Sequence, residues 1–274
     1  MGIKAEILKE YVSSFDEIKP FNKNTLKYVG IAFQFDNIID FDNNQTLFYS
    51  YVKSLLPYKT ERPASEGSLV LTISPVQNQF GFNQQSESYT EYIYTDNKEN
   101  PTIRVITNKK KIDFQCIDPE NNYTSFKDFL EKIWKIFTIF CQIYDKKINL
   151  MEVVLRKINK VEIDGNETFL NQNILYESSL FDNFANTNTY KEFTTVEDSG
   201  ETVIFRSGII RNKAESDNNL IIYDFTIKQD NPNELKLESK FLQEMLKQFS
   251  TKIFNLYCYC VSKDYIDKVL NKND

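Results

Sequence analysis

YTEYIYTDNKENPTIRVITNKKKIDFQCI, residues 89–117, carries three short β-rich runs in succession. YTEYIYT at 89–95, TIRVIT at 102–107 and KIDFQCI at 111–117 are separated by polar turn residues, and Asn108-Lys109-Lys110 reads as the tight turn of the last hairpin. No helical pattern separates them. Strands that follow one another in this way pair antiparallel, so the stretch points to an α+β fold rather than to alternating βαβ units.

Working outward, SLVLTIS at 68–74 is a further strand, and TLKYVGIAFQF at 25–35 alternates with Val29, Ile31, Phe33 and Phe35 on one face. Between them, Leu47, Phe48, Tyr51, Val52, Leu55 and Leu56 recur at helical spacing before Pro57. Ser125 opens a second helix whose inward stripe runs from Phe126 to Tyr144 and includes Phe137. The order then repeats. LMEVVLRKINKVEID at 150–164 is a strand, 166–181 a helix, 190–196 and 201–210 a hairpin turning at Asp198-Ser199-Gly200, 220–228 a strand, and 238–261 a long aromatic helix containing Phe249. A short tail helix starts at Ser262.

The expected fold is therefore α+β, with long helices packed on antiparallel sheets, in two similar halves, 1–147 and 148–274, forming one compact unit. NQTLFYSYVKSLL at 44–56 parallels 166–180, and IDFQCIDPENN at 112–122 parallels YDFTIKQDNPNE at 223–234. An internal duplication is one account of this. Chance likeness among strand, turn and helix sequences in a biased composition is the other.

Composition narrows the chemistry. Among 274 residues there is no histidine, which removes the usual general base near neutral pH, the Ser-His and Cys-His nucleophile pairs and the histidine metal sites. No phosphate-cradling or dinucleotide-binding glycine loop is present, and no cofactor is implied. The net charge of −6 gives no global attraction to nucleic acid or anionic lipid, and arginine is confined to Arg62, Arg104, Arg156, Arg206 and Arg211. Cys116, Cys141, Cys258 and Cys260 have apolar or aromatic neighbours and no metal-type spacing, which makes them buried free thiols. No apolar run reaches membrane-spanning length and no secretory leader is visible, so the expectation is a cytoplasmic protein with no membrane partner.

Three groups of residues are candidates for function. Asp36, Asp40 and Asp42 follow the first strand and offer oxygen ligands for Mg²⁺, although short acidic residues before a helix also serve as caps. Lys109, Lys110 and Lys111 form a local cationic turn, with Tyr92 and Tyr94 on a neighbouring strand as a stacking surface for nucleic acid. Edge and turn lysines equally guard a sheet against aggregation. In the strand at 150–164, Val153, Leu155, Val161 and Ile163 share a face with Asn159, while Glu152, Arg156, Lys160 and Glu162 occupy the other. Asn159 on an apolar face needs internal hydrogen-bond partners, and Arg156 and Glu162 are placed for charge pairs.

The segment VVLRKINKVEID, centred on Arg156, Ile158, Asn159, Val161, Glu162 and Ile163, resembles the R-x-I-N-x-[IV]-E-I strand of a sporadically distributed bacterial family of unknown function. The first strand, the helix at 126–144 and IIYDFTI at 221–227 are similar to that family at lower specificity. KPFNKNTLKYVGIAFQF lacks the proline-rich lead-in that accompanies the motif. The resemblance implies a standalone bacterial cytoplasmic protein with no established activity or catalytic residues, and a patchy distribution that suggests mobile or defence-linked gene neighbourhoods. The leading expectation is a non-catalytic binding or accessory protein whose partner is another protein or a complex. The alternatives are a metal-dependent, carboxylate-based phosphohydrolase or nuclease, and an accessory subunit of an antiviral system.

Overall fold

The computed structural model describes residues 11–74, 79–144, 148–163, 186–212, 219–230, 240–261 and 263–271. Its nine strands are β1 (Leu26–Phe35), β2 (Tyr58–Ser74), β3 (Gln79–Thr95), β4 (Ile103–Asn108), β5 (Lys111–Cys116), β6 (Leu150–Ile163), β7 (Asn186–Val196), β8 (Glu201–Asn212) and β9 (Asn219–Asp230). They form one sheet in the order β2-β3-β4-β5-β1-β6-β9-β8-β7, with every neighbouring pair antiparallel. Separate sheets for the two halves were expected, and a single sheet is found. The reason lies in β1 and β6, each of which has a last-in-line partner on one side, β5 and β9, and an open edge on the other; pairing β1 with β6 closes both edges.

Pairing register decides which residues share a face. Ile31 lies opposite Phe114 and Leu155, and Leu155 opposite Ile227, so the alternating apolar sets of four strands point the same way. Helices α1 (Phe41–Val52), α2 (Pro119–Asn122), α3 (Phe126–Tyr144) and α4 (Lys240–Val261) are followed by a short tail, α5 (Lys263–Tyr265), which continues as a π-helical turn over Ile266–Leu270, and α1, α3 and α4 cover the apolar face of the sheet. Phe137 of α3 stacks on Phe33 with centroids 3.9 Å apart, Phe140 stacks on Phe35 at 5.6 Å, and Tyr257 of α4 meets Tyr223 edge-on at 6.4 Å. Phe137 and Phe249 are both fully buried. The four cysteines are buried free thiols.

The stripe expected on α1 is corrected by the structure. The helix begins at Phe41, and its buried residues are Phe41, Gln45, Phe48 and Val52, with Leu56 just beyond; Leu47, Tyr51 and Leu55 face outward. Gln45 is the pivot: its amide donates to the Tyr144 hydroxyl at 2.9 Å and accepts from Tyr94 at 2.5 Å, so a polar residue takes a place in the buried stripe. Strand β2 begins ten residues before SLVLTIS, at Tyr58. As an edge strand its residues 58–65 are mostly exposed, which removes the apolar alternation from which a strand is read, and an edge is where a sheet tolerates a residue such as Pro63 that has no N–H to donate. The helix expected at 166–181 lies outside the described residues, as does Ser262, while the tail helix expected to start there is found from Lys263 onward. No helix among the described residues is long and apolar enough to cross a membrane.

Candidate functional site

Strand alternation divides the sequence-predicted residues of β6 between the two faces of the sheet. Arg156 is on the face opposite the helices, where its Nε and Nη2 donate to the two carboxylate oxygens of Asp224 at 2.9 and 2.7 Å. Those bonds raise the guanidinium pKa further above its ordinary value. The same guanidinium sits over the Tyr28 ring, which lies across Gly30. Glu162 pairs with Lys160 at 2.8 Å, which holds its carboxyl below the ordinary range. Both charges are thus engaged on the side away from α1, α3 and α4. Asn159 goes the other way, into the helix-covered face, and is buried.

Lys157 goes with it. The alternation that puts Leu155 and Asn159 on the helix side puts Lys157 there too, between them, with 8% of its surface exposed. Sequence reasoning passed over this residue, although the signal was there: a lysine in phase with an apolar strand face. Its Nζ donates to Ser250 Oγ of α4 at 2.8 Å and lies 4.5 Å from the centre of the Phe126 ring. Burial alone pushes the amine down to about 7, because a charge there is stripped of water without a compensating anion.

Lys157 and Asn159 form part of the floor of a cavity of about 350 Å³. Its walls come from three places that local sequence chemistry fixes. Ser125 caps α3, its Oγ accepting from Asp128 N–H at 3.1 Å, while Thr124 and Ser125 donate to the Asp128 carboxylate at 2.7 Å; this sets Phe126 at the first turn. The loop before β1 is held by Asn24, which accepts from Leu26 N–H and donates to the Pro119 carbonyl, and by Glu17, which reaches back to Ser13. Buried Asn255 of α4 accepts from the backbone of Tyr11 and Val12 and donates to the Val12 carbonyl, tying the chain's beginning to the helix.

At the junction of loop and strand, the β1–β6 register shifts between Leu26 and Tyr28, so Lys27 is an extra residue and Leu26 comes opposite Asn159 at the cavity. Beside it, a buried hydroxyl chain runs from Tyr257 to Thr25 at 2.8 Å and from Thr25 to Asn159 Oδ1 at 3.2 Å. Since Thr25 donates to the amide oxygen, Tyr257 donates to Thr25, and burial holds the Tyr257 phenol protonated well above its ordinary pKa. Asn159 Oδ1 thus finds its partner inside the fold, in a side-chain hydroxyl. Phe21 stacks on Phe254 at 5.5 Å and Phe15 meets Phe126 edge-on at 5.9 Å, lining the cavity with rings.

The other candidates do not join this site. Lys109 and Lys110 accept with their carbonyls from Ile38 and Phe35, locking the turn to the end of β1, and Lys111 pairs with Glu91 at 3.6 Å. The stacking surface expected beside them is corrected: Tyr92 and Tyr94 are buried beneath α1, on the opposite face from Lys111. Asp36 accepts from Asn37 N–H, Asp40 occupies the position before α1 in the left-handed region (φ 58°) without a side-chain cap bond, and Asp42 accepts from the Tyr92 hydroxyl at 3.0 Å. Among the described residues, no three His, Cys, Asp or Glu side chains gather as a metal site would require. Neither a model of a known protein family nor a curated protein matches the chain.

Proposed function

We propose that the protein is a binding protein, and that its ligand is a small molecule with an apolar, ring-sized body and one polar end. The observation that carries this reading is the cavity itself. Aromatic walls surround a floor of Lys157, Asn159, Thr25, Ser250 and Tyr257, and a concave, mostly apolar site with a few convergent polar groups is the common form of a small-molecule pocket. The ligand's body lies against Phe21, Phe126 and Phe254 and its polar end meets Lys157. Native mass spectrometry of protein purified from its host tests this. The parent should retain a small molecule that an Ile253→Phe variant, its cavity filled, does not; equal retention by both would place the ligand elsewhere.

A second reading, an accessory protein that docks on another protein, is favoured by the outer face of α1. Leu47, Tyr51 and Leu55 follow one another at four-residue spacing and are exposed at 45%, 60% and 43%. Leu55→Asp should abolish capture of such a partner and leave the cavity's ligand in place.

We also propose that the two halves arose by duplication. Outward from the β1–β6 seam, each half presents its first strand, then its last, then the preceding one, and each last strand leads toward a long helix on the same face. The sequence parallel of 112–122 with 223–234 falls on the equivalent strands β5 and β9, matching Ile112 to Tyr223. Through their pairings this sets Phe33 against Asn159 and Ile31 against Lys157, so the two polar floor residues that β6 supplies stand where the first half keeps core apolar ones. Superposition of the halves tests the idea: a best fit displaced by an odd number of residues turns the strands over and sinks it.

A further inference from the structure

We propose that Lys157 captures its ligand covalently, its Nζ condensing with the carbonyl of a small aldehyde or ketone to form an imine inside the cavity. This rests on the reading of the cavity as a binding site and names the class of compound it takes.

Three observations place the chemistry at this amine. The first is position: Lys157 projects from the interior strand β6 into a cavity of about 350 Å³, with the Phe126 ring 4.5 Å away and Phe254 on the wall. A ring-bearing carbonyl compound seated there has its carbon beside Nζ. The second is the absence of an anion: no carboxylate among the described residues pairs with Lys157, and its one hydrogen-bond partner is the neutral Ser250 hydroxyl at 2.8 Å. A lysine kept for structure is ordinarily paired or held with its ammonium in water; one desolvated against aromatic rings carries a free lone pair near neutral pH. The charged residues lining the cavity, Asp16, Lys19, Lys23 and Lys127, are exposed side chains. The third is a proton carrier: Ser250 Oγ stands within hydrogen-bond distance of the amine.

The step balances with no further reagent. The Nζ lone pair attacks the carbonyl carbon, forming the N–C bond as the C=O π pair moves to oxygen. A proton passes from nitrogen to that oxygen, with Ser250 as relay, to give the neutral carbinolamine. The nitrogen lone pair then closes the C=N bond as the hydroxyl departs with the remaining N–H proton as one water. No oxidation or reduction occurs.

The experiment uses the full chain with benzaldehyde as probe and cyanoborohydride to trap the imine, read by peptide mapping lysine by lysine at about pH 7. Lys157 should be benzylated at least about tenfold faster than Lys19 and Lys127, which are exposed side chains. Labelling of Lys157 no faster than theirs overturns the proposal, and because this comparison is made within the parent protein it does not depend on a variant folding. Lys157→Met should lose the fast label while the rest of the map is unchanged; a fast label elsewhere in the cavity of that variant also counts against Lys157. Benzyl alcohol, which has the ring without the carbonyl, separates the two layers. If it raises the melting temperature but Lys157 is not preferentially trapped, the covalent step is wrong and the cavity reading stands. If neither compound has an effect, both fall.

Discussion

Lys157 holds an amine where water cannot solvate it, and this makes its protonation a term in folding. In the unfolded chain a lysine titrates near its ordinary value of about 10.4, whereas in the folded protein burial brings it to about 7. Between those values the unfolded chain binds more protons than the folded one, so stability rises with pH across that window; below about 7 both forms are protonated and the whole penalty is present. Lys157→Met should therefore gain stability relative to the parent at about pH 6, and the gain should shrink toward about pH 10. Chemical denaturation at both pH values measures it, and a parent-to-variant difference that stays flat would mean that the amine titrates as in water. Asn159 makes the complementary case. Replacing it by leucine leaves Thr25 without its acceptor in a buried site, which should cost about 1–3 kcal/mol. Wild-type stability in that variant would remove the hydroxyl chain from the fold's support. Asn159 was legible in the sequence because an amide on an apolar strand face demands partners. Lys157 obeys the same alternation but was obscured by the charged residues around it, and Thr25, Ser250 and Tyr257 come together only through packing across more than 200 residues of chain.

At the scale of elements, legibility followed burial. Strand β1 and helix α3 each bury one face against a single partner layer, so their periodicities of two and 3.6 are clean, and the residues from Phe126 to Tyr144 expected inward are inward. The outer part of β2 has little apolar contact and left no pattern, and α1 was misread because a hydrogen-bonded glutamine, not a leucine, occupies its inner stripe. The Lys27 bulge could not be read at all, since an extra residue shows only against the partner strand. The buried rings support a quantitative expectation: Phe137→Ala and Phe249→Ala should each cost about 3–5 kcal/mol, as full removal of a buried phenylalanine does. Melting curves that shift by only a degree or so would mean that neither ring is in the core. The sheet face away from α1, α3 and α4 has its own constraint at Gly30. Any Cβ there collides with the Tyr28 phenol, so Gly30→Val must push the Tyr28 ring from beneath Arg156, at an expected cost of about 1–3 kcal/mol. If the companion change Tyr28→Ala does not recover part of that loss, the ring is not the obstacle.

For the whole molecule, the decisive contact is the seam of β1 with β6, which runs from Leu26 opposite Asn159 to Phe35 opposite Leu150 and turns two sets of strands into one sheet. Both strands of the seam are interior to the sheet, so neither half can open without exposing the unpaired backbone and apolar face of the other. The cavity lies at this seam, with Leu26 from β1, Lys157 and Asn159 from β6, Phe126 from α3 and Ser250 from α4 around it. Ligand binding should accordingly stabilise both halves together. The single tryptophan gives a way to see this. Trp134 belongs to α3 and packs on Phe33 and Phe137 of the first half, so its fluorescence reports that half alone. Phe249 belongs to α4 of the second half. If the sheet unfolds as one cooperative unit, Phe249→Ala should move the Trp134 denaturation midpoint as far as it moves the midpoint followed by far-ultraviolet circular dichroism, and the two curves should coincide. Independent halves would behave otherwise: circular dichroism would split into two transitions, and the Trp134 curve would stay at its parental midpoint while the rest of the signal shifted. That outcome would reduce the β1–β6 seam to a contact between two separately stable bodies, and a ligand held across it would then tighten the seam without stabilising either half.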